Sequence, residues 1–277
     1  MAEELALGVM TGCAAGPQEA LAAVRDLGIP TVQMSYPAHL DNEDGVRQIK
    51  DAVQATGVEI TTVFCAFSGE SYADIPTVRE TVGLVPEATR EERVARLDRI
   101  SEFAQKLGVD RVAAHIGFMP EDESDPDYKV LVAVVQRICD NLKARGQVFA
   151  LETGQETAGT LKRFIEDVGR DNLFVNFDPA NMILYGNDNP VEAMDVLGPW
   201  VDGVHCKDGS WPTQPNQLGE EKPLGEGDVN IAAWIDKLIK TGFRGTLTIE
   251  REISGEQQRQ DILKAKQLLD SLIAQYR

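Results

Sequence analysis

Residues 148–178, VFALETGQETAGTLKRFIEDVGRDNLFVNFD, contain one complete strand–helix–strand unit. The runs 148–152 and 173–178 are short, apolar and partly β-branched, as buried strands are. Between them, 158–168 carries apolar residues at Leu161, Phe164, Ile165 and Val168, the spacing of one helical face. Two strands joined by a helical crossover run parallel, because a tight turn can only join antiparallel ones. Each strand also ends on a carboxylate, Glu152 and Asp178.

The same rhythm extends in both directions. Further strands are expected at 5–10, 31–36, 58–64, 111–116, 202–206 and 245–250, and further helices at 17–27, 43–56, 89–107, 127–145, 190–198, 229–241 and 256–275. Gly28, Gly57, Gly108, Gly146 and Gly242 each close a helical pattern shortly before a strand, where a left-handed residue ends the helix. Long loops are expected at 65–88 and 207–228, both on the strand-to-helix side. Eight βα units in 277 residues predict an α/β fold, a closed (β/α)₈ TIM barrel forming one domain over 1–277. An open doubly wound sheet is disfavoured: the turn after the first strand reads MTGCAAGPQE rather than GxGxxG, and no GxxxxGK[ST] phosphate loop occurs.

Composition narrows the function classes. Hydrophobic residues make up 43% and charged ones 26%, ordinary for a globular protein with a full core. No apolar run is long enough to span a bilayer, so no membrane association is expected. The start, MAEELALGVM, is acidic where a signal peptide would be basic. With 27 basic against 45 acidic residues the formal net charge is −18, which opposes nucleic-acid binding. Cys13, Cys65, Cys139 and Cys206 form no CxxC pair, which fits buried thiols in a reducing cytoplasm.

In such a barrel chemistry sits at the carboxyl ends of the strands. Those ends carry His115, Glu152, Asp178, His205 and Glu250. A single buried carboxylate is usually a cap or an ion-pair partner. Three on neighbouring strands repel one another unless a cation neutralises them. Glu152, Asp178, His205 and Glu250 are therefore expected to ligate one divalent metal ion. Three oxygens and one imidazole suit Mn²⁺, the favoured ion, or Mg²⁺ or Co²⁺, and Zn²⁺ also accepts them. Glu152 and Glu250, three strands apart, face each other across the mouth as a candidate acid/base pair.

The segments ALETGQETAGTL, VNFDPANMILYG, GVHCKD, PLGEGDVN and LTIERE resemble the sugar phosphate isomerase/epimerase superfamily of xylose isomerase-like barrels. That superfamily includes ketose 3-epimerases, hydroxypyruvate isomerase, inosose dehydratase and the endonuclease IV DNA-repair enzymes. The resemblance implies metal ligation by the same four residues, with Glu152 and Glu250 catalytic. It also implies a sugar or keto-sugar substrate that loses a proton beside a carbonyl, through an enediolate held by the cation. Returning the proton gives an epimer or an isomer; expelling a hydroxyl gives a dehydratase. A non-catalytic sugar-binding barrel is the alternative of another class. Asn181 stands where ketose 3-epimerases typically place a substrate-binding histidine; it can hydrogen-bond a hydroxyl but does not titrate near neutrality. The endonuclease branch needs more histidines than His39, His115 and His205.

Other residues have two readings each. His115 either contacts substrate or is a core histidine bonded to backbone. Lys207 and Asp208 either orient substrate or loop, or form a plain ion pair. Trp211 and Phe118 either stack on a sugar ring or close a lid. Glu156 is expected at the next loop or helix start, Asp228 as N-cap of the helix at 229–241, and His39 on the surface. Homo-oligomer formation is left open by the sequence.

Overall fold

The computed structural model describes residues 5–276; residues 1–4 and 277, the ends of the expected domain, lie outside. The strands are β1 (Leu7–Thr11), β2 (Thr31–Ser35), β3 (Glu59–Phe64), β4 (Arg111–His115), β5 (Val148–Glu152), β6 (Leu173–Phe177), β7 (Val201–Cys206), β8 (Asp208–Ser210), β9 (Glu220–Lys222) and β10 (Leu247–Ile249). Eight of them close into a parallel barrel in the order β1-β10-β7-β6-β5-β4-β3-β2, and β8 with β9 forms a separate antiparallel hairpin. The barrel strands are rich in buried apolar residues because helices cover their outer faces while side chains fill the interior.

The helices are α1 (Pro17–Asp26), α2 (Glu43–Thr56), α3 (Ile75–Thr81), α4 (Glu87–Leu107), α5 (Pro126–Ala144), α6 (Ala158–Val168), α7 (Pro179–Leu184), α8 (Pro190–Leu197), α9 (Ile231–Lys240) and α10 (Glu256–Ile273). Asn42 and Thr157 cap α2 and α6 by accepting the amides of Gly45 and Thr160 at 2.9 and 3.2 Å. The five helix-ending glycines all have positive φ. Trp234 of α9 is fully buried and stacks on Phe177 of β6, centroids 6.0 Å apart.

The barrel interior is polar toward one end. Gln33, Thr62, Asn176, His205 and Thr248 are buried on strands, and Gln33 donates from Nε2 to Asn176 Oδ1 at 3.0 Å. Gly203 makes room for this layer: a Cβ there would lie 2.5 Å from Asn176 Oδ1. Register brings His115 opposite Glu152, Glu152 opposite Asn176, and His205 opposite Thr248.

Three features depart from the sequence expectations. The loop at 65–88 contains α3, the stretch after β6 contains α7, and the loop at 207–228 contains the hairpin. The helix expected at 229–241 begins at Ile231, with Asn230 as its N-cap at φ 60. Asp228 is therefore not the cap; its Oδ2 accepts the Trp211 amide at 3.1 Å.

Candidate active site

Four adjacent strands deliver the expected ligands. Glu152 is the last residue of β5, His205 lies within β7, and Asp178 and Glu250 follow β6 and β10 by one residue. One ligand atom from each lies within 4.8 Å of all the others. Asp178 is held by the helix it starts: its Oδ1 accepts the Asn181 amide at 3.0 Å, which leaves Oδ2 for the site.

The centre of the cluster is His205 Nδ1, which stands 2.8 Å from Glu152 Oε1, 3.2 Å from Glu250 Oε2 and 3.5 Å from Asp178 Oδ2. An imidazole nitrogen carries at most one proton, so it cannot satisfy three carboxylates. Asp178 Oδ2 is buried and accepts no hydrogen bond, while buried Glu250 Oε2 meets His205 Nδ1 and Lys207 Nζ as ion-pair neighbours, each at 3.2 Å. On the opposite edge of the ring, Nε2 is 3.0 Å from Gln33 Oε1 and 3.2 Å from the Asn176 amide. With its proton on Nε2 and donated to Gln33, the ring turns the Nδ1 lone pair to the three carboxylates. That arrangement orients a metal-binding histidine. The donor set fits a divalent cation.

Charges in the cluster are strongly perturbed. Burial alone would lower the pKa of His205, but Glu250 and Glu152 outweigh it and raise it well above the usual imidazole range. Burial opposes ionisation of Glu152, yet His115 and His205 bring its pKa to about 2. Asp178 is shifted upward, by burial first. Glu250 is held well below the usual range because Lys207 and His205 overcome the cost of burial.

Glu152 serves two imidazoles, since its Oε2 lies 2.8 Å from His115 Nε2 while Oε1 faces His205. Gln155 approaches His115 Nδ1 at 3.4 Å and donates to the Tyr185 hydroxyl at 3.2 Å. His115 is thus bonded to a catalytic candidate rather than to backbone. Lys207 is buried, with Nζ 2.9 Å from Glu252, 3.2 Å from Glu250 and 3.8 Å from Asp178. It also donates to Asn181 Oδ1 at 3.4 Å, and Asn181 Nδ2 donates to Glu152 Oε1 at 3.4 Å. Asp208 does not pair with Lys207. Its carboxylate instead accepts the amides of Gly209, Gly225, Gly227 and Val229.

A cavity of about 400 Å³ opens onto this cluster, with His115, Glu152, Asn181 and Glu250 in its wall. Phe64, Glu70, Tyr72, Tyr185 and Glu252 also line it, and none of them was singled out from sequence. Gln33 and Asn176 were likewise unmarked. Trp211 and Phe118 do not line this cavity; they border a neighbouring cleft. His39 is exposed in a short turn at Ala38–Leu40. Glu156 directly precedes the cap of α6 but is buried, and neither of its oxygens has a hydrogen-bond partner. Burial pushes its pKa up to about 8.

Comparison with known proteins matches residues 21–272 to the family model described as Xylose isomerase-like TIM barrel. A xylose isomerase domain protein from Planctomyces limnophilus is 44% identical, with a TM-score of 0.93 over 97% of both chains. An L-ribulose 3-epimerase from Mesorhizobium japonicum is 24% identical over 248 residues, 84% of this chain and 74% of that protein. A xylose isomerase-like TIM barrel protein from Mycobacterium smegmatis, solved with magnesium, has a TM-score of 0.70 at 18% identity, over 98% of both chains. The chain spans 45% of the length of one curated relative, the uncharacterized protein YihM of Escherichia coli, which is 25% identical over 152 residues, 53% of this chain.

Proposed function

This chain belongs to the xylose isomerase-like TIM barrel family, and on that premise we propose that it is a divalent-metal-dependent sugar isomerase or epimerase. The observation that carries the reading is the convergence of Glu152, Asp178 and Glu250 on one imidazole nitrogen of His205, at the wall of a cavity of small-molecule size. A cation held by these four residues, Mn²⁺ or Mg²⁺ by the hardness of the donor set, would polarise a substrate carbonyl, worth several kcal/mol of charge stabilisation.

The chain's own residues divide the proton transfer. Glu152, ionised and fixed by His115, takes the proton from the carbon beside the carbonyl on one side of the ring. Glu250, three strands away, holds or returns a proton on the other. Return to the same carbon gives an epimer, and return to the neighbouring carbon gives an isomer. Lys207 and Asn181, joined to each other, bind the hydroxyl next to the carbonyl. Phe64 and Tyr72 shield the reacting carbon from water. Four buried free thiols fit a cytoplasmic enzyme.

The test is incubation of metal-stripped, Mn²⁺-reloaded protein with a panel of ketoses and keto-cyclitols in D₂O, following carbon-bound deuterium by NMR. Metal-dependent incorporation is expected. Glu152→Gln and Glu250→Gln should each slow it by about 10²–10⁴-fold. Exchange that survives either substitution removes that residue from acid/base duty. A dehydrated ketone as product assigns the chain to the lyases, and silence across the panel overturns the reading.

A further inference from the structure

A second concavity adjoins the catalytic cavity and plays no part in the reaction above. It measures about 540 Å³ and is bounded by Arg79 of α3, Phe118 after β4, Tyr185 and Asn187 after α7, Trp211 and the segment 212–217. Tyr185 lines both spaces, and Gln217 of the cleft is followed directly by Leu218 of the cavity. The Tyr185 ring meets Phe118 edge-on with centroids 5.6 Å apart, so a residue of the cleft packs directly on the ring that both walls share.

The cleft is built rather than incidental. Its two banks are tied where the Ile75 amide donates to the Asn216 carbonyl at 3.0 Å. Asn216 holds a left-handed backbone, φ 62, an uncommon conformation outside glycine. The Trp211 backbone is anchored by Asp228, and Asn187 donates to the carbonyl of Gly154, one residue before Gln155, which touches His115 and Tyr185.

Its chemistry selects a class of ligand. Trp211 is 39% exposed, an unusual amount for the largest apolar side chain. Around it stand the amides of Asn187, Gln214, Asn216 and Gln217 and the hydroxyl of Thr213, with no carboxylate among the described lining residues. The cation, Arg79, already lies over the Phe118 ring at 4.3 Å. An indole face accepts the C–H face of a sugar ring, and amides both donate to and accept from its hydroxyls. A phosphate would need free cations; a neutral polyhydroxylated ring does not.

We propose that this cleft is a second sugar subsite, so that the substrate is a glycoside or disaccharide whose reacting ring occupies the catalytic cavity while its neutral second ring lies on Trp211. The inference rests on the sugar-isomerase reading. It adds that the preferred substrate is larger than a monosaccharide.

The test is titration of Mg²⁺-loaded protein with glucose, cellobiose, maltose and phenyl β-glucoside, following the indole N–H signals of the three tryptophans by NMR. Trp211→Phe assigns the signal. At least one two-ring probe should shift the Trp211 signal and bind about tenfold more tightly than glucose, the order of one good aromatic contact. Trp211→Ala should bring that ratio close to one. Equal affinity for one-ring and two-ring probes, or a Trp211 signal that no probe moves, overturns the proposal. The two readings fail separately. Deuterium exchange on free ketoses with no gain from a second ring sinks the subsite and keeps the isomerase. Binding at Trp211 with no exchange on any sugar does the reverse.

Discussion

Glu156 is a carboxyl buried without a partner, and its cost depends on pH. Its ordinary value is near 4.5, and burial raises it to about 8, so between those values the folded protein keeps a proton that the unfolded chain gives up. Stability therefore falls as pH rises through this window. Glu156→Gln mimics the protonated form. Its melting temperature should match the parent near pH 5 and exceed it by about 4 °C or more near pH 9; equal melting at both would show the carboxyl to be solvated. Gln33 presents a different case. It accepts from His205 Nε2 and so fixes the ring whose other nitrogen faces the three carboxylates. Gln33→Leu should weaken Mn²⁺ binding by about 10–100-fold in calorimetric titration. The clustering of Glu152, Asp178, His205 and Glu250 was legible because each follows an apolar run at a strand end. Gln33 and Asn176 were not, since a polar residue inside a short strand reads as ordinary alternation until closure of the barrel shows which side faces inward.

At the scale of elements, the loops after the strands matter most. Asp74 and Asp178 start α3 and α7 by accepting the amides of Thr77 and Asn181, each with a proline in the first turn. That signature is present in the sequence as DIP and DPA, but both helices are too short, seven and six residues, for apolar periodicity to register. The eight longer helices were legible because they run long enough to show a face. Asp208 organises another loop through four backbone amides of residues 209–229. Asp208→Ala should leave those donors unpaired and cost about 2–3 kcal/mol. Hydrogen exchange should then accelerate across 223–229, and unchanged protection there would show that the loop holds itself.

For the whole molecule, Glu152, Asp178 and Glu250 cluster inside a chain of net charge −18; His115, His205 and Lys207 offset part of that charge, and a cation bound among the carboxylates would offset more. Ions that bind only the folded state stabilise it by mass action, about 2.7 kcal/mol at a hundredfold excess over the dissociation constant. Chelation should lower the melting temperature by about 5 °C or more, and Mn²⁺ should restore it. A melting curve indifferent to chelator would mean that no cation is held. The barrel's circular order has a wider consequence. Glu152, Asp178, His205 and Glu250 all come from one unbroken arc, β5 through β10, whereas the opposite arc supplies Phe64 and the loop bearing Glu70 and Tyr72. The cavity wall is thus drawn from both arcs, while the clustered carboxylates and His205 are confined to one. Random variation confined to 66–74, on the arc that carries none of the four, should therefore reshape the cavity wall while leaving the cluster as it stands.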